Sequence, residues 1–209
     1  MKLPKHQTLG EELANAISHG VGALLSIAGM ILMIIKAQTT EAVVGVSLFG
    51  TSAIILYTMS CLYHSFKRES VVKRVFRRFD HASIYLLIGG TYLPVFLIVF
   101  KHPIDIYFIV LQWTIIITGV TLKSARFNKF KAVHFILYLI LGWSGILVFK
   151  PLYQASPQAF YWILAGGVSY TLGTIFYGFR KFKYNHFIWH LFVLGGTILH
   201  FFAIYLHLL

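Results

Sequence analysis

The run His186-Phe187-Ile188-Trp189-His190 sets two imidazoles four residues apart. On a helix both leave the same face about one turn apart, a workable bite for a single Zn²⁺. Ser60 and His64 share that separation, and Asp80-His81 opens the next apolar stretch. Glu12, Asn15 and His19, spaced i, i+3 and i+7, form one polar stripe on an otherwise apolar helix. If His64, His186 and His190 meet, three neutral imidazoles leave a fourth tetrahedral position for water, as in catalytic zinc sites. Asp80 beside that water can accept its proton during attack on a carbonyl. Ser60, one turn from His64, can orient Asp80 or donate to a developing oxyanion.

Each residue also has an ordinary role open to it. An interfacial histidine beside basic loops equally serves as a headgroup contact. Asp80 has Arg77 and Arg78 within reach as ion-pair partners, and Ser60 can bond the carbonyl four residues back. Glu12 also suits the N-terminus of a helix, where its charge complements the macrodipole. His200 lies ten residues beyond His190, about 15 Å further along a helix, too far to share its metal. His81 points about 100° away from Asp80 on a helix, and it is expected to be structural together with His102, His134, His200 and His207.

The elements that must position these groups follow from composition. Of 209 residues, 58% are hydrophobic and 11% charged, against roughly 25% charged in an ordinary soluble domain. Seven apolar stretches, over 13–35, 42–64, 80–100, 104–122, 132–149, 159–179 and 186–208, each approach the ~20 residues that cross ~30 Å of hydrocarbon. The expected fold is therefore all-α, a polytopic membrane protein forming one seven-transmembrane-helix bundle. The first apolar run lacks a convincing small-residue cleavage site and is read as a retained helix. Gly89-Gly90, Gly166-Gly167 and Gly195-Gly196 fall within spans as packing features, Pro94 is placed to kink the third span, and the many Phe and Tyr residues suit lipid-facing and interfacial positions. No internal repeat is apparent.

Fifteen of the 18 Lys and Arg lie on one side of the bundle, in the clusters Lys2/Lys5, 67–78, 123–131 and 180–183. Lys36, Lys101 and Lys150 fall on the other. That asymmetry puts the N-terminus in the cytoplasm and, with seven crossings, the C-terminus outside. It also gathers Glu12, Asn15, His19, Ser60, His64, Asp80, His186 and His190 in the cytoplasmic leaflet. The net charge of +12 resides in short clusters between apolar spans rather than on a folded basic face, which excludes nucleic acid and suits anionic headgroups at the basic loops. Cys61 is the only cysteine, so no intrachain disulfide forms.

In order and helix placement, Glu12-x-x-Asn15-x-x-x-His19, Ser60-x-x-x-His64, Asp80-His81 and His186-x-x-x-His190 resemble the hemolysin III branch of the progestin and adipoQ receptor family. The resemblance covers nearly the whole chain. It implies zinc near the cytoplasmic face, held by His64, His186 and His190. Adiponectin receptors in that family, and alkaline ceramidases in its wider superfamily, are associated with hydrolysis of lipid amides. Bacterial members carry the name hemolysin and are linked to membrane homeostasis. The short stretch before the first span is like theirs, so a bacterial inner or plasma membrane is the expected location.

Three functions follow as expectations: a zinc-dependent hydrolase of lipid amides or esters, a zinc-stabilised regulator of membrane lipids or energetics, and a membrane-damaging hemolysin. The last fits poorly, because no long amphipathic pore-lining stretch occurs and seven apolar spans hold the chain in its own membrane. Membrane lipids are the expected partners, and a homodimer is compatible with the sequence.

Overall fold

The computed structural model describes residues 7–127, 129–178 and 182–209. Lys2, Lys5, Arg180 and Lys181 of the basic clusters, and Phe179 at the expected end of the sixth span, lie outside them. Among the described residues, seven helical segments of 22–29 residues are long and apolar enough to cross a membrane. Six are single helices: α1 (Leu9–Lys36), α2 (Thr40–Ser65), α3 (Val71–Val99), α4 (Ile104–Ala125), α7 (Pro157–Gly178) and α8 (Asn185–His207). The fifth span, Ala132–Ala155, is broken. In it α5 (Lys131–Trp143) passes through a 3-10 turn (Ser144–Val148) into α6 (Phe149–Ala155).

Helix starts follow local chemistry. Thr8 and Glu11 form a reciprocal capping box on α1, while Thr39 and Ser70 each accept an N–H of the first turn of α2 and α3. Because Ser70 caps it, α3 begins at Val71 rather than at 80. Its opening turns carry exposed Arg74, Arg77 and Arg78, good helix formers that an apolarity criterion discards. Asp80 therefore sits inside α3, not at its start. The break in the fifth span is held from outside: Tyr92 accepts the Gly145 N–H at 2.8 Å and donates to the Gly142 carbonyl. Trp143 Nε1 donates to Thr171 Oγ1 at 3.0 Å, tying the bend to α7.

The main apolar cluster joins α1, α2 and α8 through Met33, Val46, Phe49, Leu56, Tyr57, Val193 and Ile204. Along α2 the buried positions Val46, Phe49, Ala53, Leu56, Tyr57, Ser60 and His64 keep a helical period. Ser60 and His64 thus continue the stripe that faces the interior. Contrary to expectation, not all the aromatic residues face lipid, since Tyr57 and Tyr85 are fully buried.

Close helix approach depends on missing side chains. A Cβ on Gly45 would lie 2.9 Å from the Pro94 Cα, and one on Gly90 would lie 2.1 Å from the Ser52 hydroxyl, so α2 and α3 meet nearly backbone to backbone. Gly166 likewise receives the His200 ring and Gly196 the Tyr170 ring. Gly45→Ala should therefore lower the unfolding temperature in detergent, with strain of about 1–3 kcal/mol. Gly167→Ala, where a Cβ meets nothing within 4 Å, should leave it unchanged. Equal effects of the two substitutions would contradict this packing.

Candidate metal centre

The start of α8 is fixed by α1. Glu11 Oε2 accepts the Thr8 N–H at 2.8 Å, while Oε1 accepts the Tyr184 N–H at 2.9 Å. Tyr184 turns the chain in the left-handed region at φ 63° immediately before α8, and Asn185 Nδ2 donates to the Phe176 carbonyl of α7 at 2.9 Å. The first turn of α8, with His186, is thereby pinned between α1 and α7.

One ring nitrogen from each of His64, His186 and His190 lies within 4.8 Å of the other two. His64 is 4% and His190 2% exposed, and His186 is half-buried. The far nitrogens are fixed from α1. Glu12 Oε2 stands 2.7 Å from His64 Nδ1 and accepts its proton, leaving Nε2 as a bare lone pair with no protein partner. Ser18 spends its own proton on the Asn15 carbonyl at 3.0 Å, so its oxygen accepts from His190 Nδ1 at 3.4 Å. His190 Nε2 is then also a lone pair, 3.2 Å from His186 Nε2. A carboxylate or hydroxyl behind each imidazole is the arrangement that aims histidines at a metal. The orphaned His64 Nε2 and the close His186–His190 pair fit a cation held between α2 and α8.

The other expected residues surround this point. Asn15 is fully buried, with Nδ2 bonded to Gln7 Oε1 at 3.2 Å and 3.5 Å from His64 Nδ1. His19 stacks flat on His190, with ring centroids 3.5 Å apart. Ser60 is 1% exposed; its hydroxyl makes no back-bond to the helix and lies against the Asp80 carboxylate. The Asp80 side chain is 16% exposed and, among the described residues, its ion-pair partner is neither Arg77 nor Arg78. It is His81, whose Nδ1 lies 3.2 Å from Asp80 Oδ2. The expectation that His81 points away is thus corrected: rotation about the side-chain bonds brings the two groups together despite the 100° step. Arg77 instead covers the Phe127 ring.

Two participants were not singled out in the sequence. Lys73 bridges to Glu12 Oε1 at 3.0 Å and donates to the Tyr63 carbonyl at 2.9 Å. It was hidden within a basic cluster read only as a topology signal. Ser18, on the turn between Asn15 and His19, was masked by the ordinary frequency of serine in helices.

His19, Ser60, Asp80, His186 and His190 form one end of a cavity of about 170 Å³. Its wall continues along the bundle through Leu87, Val95 and Leu152 to Ile204 and is mostly apolar. A buried histidine cluster that could hold a metal ion, with a carboxylate and a hydroxyl beside it, thus opens into a slot lined by hydrocarbon.

Glu12 serves His64 and Lys73 together, so the two contacts should be coupled. Glu12→Gln and Lys73→Met are each expected to destabilise the metal-free protein, and their double-mutant cycle should show ~0.5–3 kcal/mol of interaction. Additivity of the two unfolding free energies would show that the bridge carries no energy.

Comparison with known proteins places the arrangement. The haemolysin-III related family model matches residues 7–201. Hemolysin-3 of Bacillus cereus is 42% identical over 207 residues, covering 97% of this chain and 94% of that protein. The hemolysin-3 homolog of Bacillus subtilis (strain 168) is 38% identical over 201 residues, covering 94% of each. The human monocyte to macrophage differentiation factor is 26% identical over 208 residues, covering 96% of this chain and 86% of that protein. With seven apolar helices and this match over most of its length, the chain is a multi-pass membrane protein that belongs to the haemolysin-III related family, within the progestin and adipoQ receptors.

Proposed function

We propose that this protein is a zinc-dependent intramembrane hydrolase acting on a lipid amide or ester, embedded in a bacterial plasma membrane with the metal centre in the cytoplasmic leaflet. The observation that carries the reading is the junction of three converging imidazoles with a long apolar cavity. Zinc is favoured among metals because the donors are neutral imidazoles on helices, suited to tetrahedral nitrogen ligation with one position left over. Bound there, zinc supplies Lewis acidity for carbonyl hydrolysis.

The chain's own residues account for the remainder. Glu12 and Ser18 hold His64 and His190 in the tautomers that present Nε2 inward. Asp80, held by His81 at 3.2 Å, offers a carboxylate at the cavity wall to take the proton of an attacking water. Ser60, buried beside Asp80, can orient that carboxylate or donate to the oxygen on which charge develops. The apolar wall beyond receives an acyl chain and excludes bulk water. The sequence sets 15 of the 18 Lys and Arg in segments on one side of the spans, an asymmetry that supports a cytoplasmic orientation and contact with anionic headgroups.

A second reading makes the metal purely structural, with the protein regulating membrane composition or energetics. It is favoured by the ligand distribution, since His64 on α2 and the pair on α8 are both braced from α1, which would fasten three helices together.

The readings separate at Asp80. In zinc-loaded protein offered a panel of lipid amides and esters, fatty-acid release should fall ~10²–10⁴-fold on Asp80→Asn while bound metal is retained. His186→Ala should abolish both release and metal. Release from no lipid class, with the metal fully occupied, would remove the hydrolase and leave the structural reading.

A further inference from the structure

The cavity has a second polar position well away from the metal centre. His200 is 6% exposed and lines the cavity wall. Its Nε2 lies 3.0 Å from the Ile163 carbonyl. A carbonyl only accepts, so Nε2 carries the proton and Nδ1 is a bare acceptor. That nitrogen has no protein partner. The opposite ring edge, Cδ2 and Nε2, is pressed against Gly166 of α7, where a Cβ would lie 2.3 Å away. The ring therefore has a fixed tautomer, a fixed seat and one unsatisfied lone pair.

The hydroxyls nearest to it are engaged with one another. Tyr57 donates to Thr197 Oγ1 at 2.6 Å, and the Tyr170 hydroxyl and Thr197 Oγ1 share a hydrogen bond at 2.8 Å that either can donate. The Tyr170 ring stands edge-on to His200 with centroids 5.4 Å apart. In an apolar slot a buried acceptor without a donor is costly. A charged donor such as an ammonium would cost more to bring there than it regains. The complementary group is a neutral hydroxyl carried by an otherwise apolar chain.

The position along the chain follows from the helix. His190 and His200 are ten residues apart on α8, about 15 Å at ~1.5 Å per residue. The ~1.5 Å C–C bonds of an extended chain zigzag at the tetrahedral angle and advance only ~1.25 Å per carbon, so that is roughly a dozen methylenes. The geometry points to a specificity site at His200 for acyl chains bearing a mid-chain hydroxyl, roughly a dozen carbons from the group held at the metal centre. This inference rests on the acyl-binding reading of the cavity and names a substrate class for it; it does not need turnover.

Trp143 and Trp189 line the cavity, so binding can be followed by their fluorescence in the purified full chain. The probes are stearic acid and the hydroxystearic acid with its hydroxyl on carbon twelve. Wild type should bind the hydroxylated acid about tenfold more tightly, the effect expected of one added hydrogen bond to a buried acceptor. His200→Phe should erase the preference while still binding stearate, and His200→Gln, which restores an acceptor, should recover part of it. Equal binding of both acids by wild type, or a preference that survives in His200→Phe, would overturn the assignment while leaving the acyl cavity intact. If neither acid binds, the acyl reading fails and the assignment falls with it.

Discussion

A histidine inside a hydrocarbon slab must place two ring nitrogens, and water is not there to take either. Leaving such a group unsatisfied costs about 1–3 kcal/mol, so a bundle that buries several of them needs a specific partner for each. Here one nitrogen of His64 and one of His190 are satisfied from α1, by Glu12 and Ser18. The remaining nitrogens are directed at one another across α2 and α8. Three imidazoles converging in this way are the donor set that a cation would satisfy, with His186 and His190 also close enough to share a proton.

The fold supplies what that requirement demands. Glu11 ties the turn before α8 to the capping box of α1, so the segments bearing the outer partners and the inner ligands are joined at their ends. Glycines let α2 lie against α3, which brings Ser60 and Asp80 to the same wall. The broken fifth span, held open by Tyr92 and Trp143, leaves room between the inner helices and α7 for the cavity. Lys73 balances the carboxylate that His64 needs, its ammonium also lying 4.7 Å over the Tyr63 ring.

Much of this was legible in the sequence because hydrocarbon makes simple demands. Length and apolarity alone define seven spans, and polar residues at one depth mark the end where they meet. What stayed hidden depends on rotation and pairing. In a membrane both faces of a helix are apolar, so α2 shows no apolar stripe that would reveal which side of it holds Ser60 and His64. The start of α3 was missed because Arg74, Arg77 and Arg78 look like loop to an apolarity criterion while propagating helix well. His81 was set aside on its 100° offset, though adjacent side chains can still meet. The role of Lys73 and the tautomer of His200 depend on contacts 61 and 37 residues apart in sequence, and no local pattern carries them.

The central claim is that three histidines from α2 and α8 hold one metal ion. Zinc K-edge X-ray absorption on protein purified without a metal-affinity tag tests it directly. The account predicts about one zinc per chain with three imidazole nitrogens at ~2.0–2.1 Å. An intact, monodisperse protein without zinc, or zinc bound only by oxygen or sulfur, would contradict it.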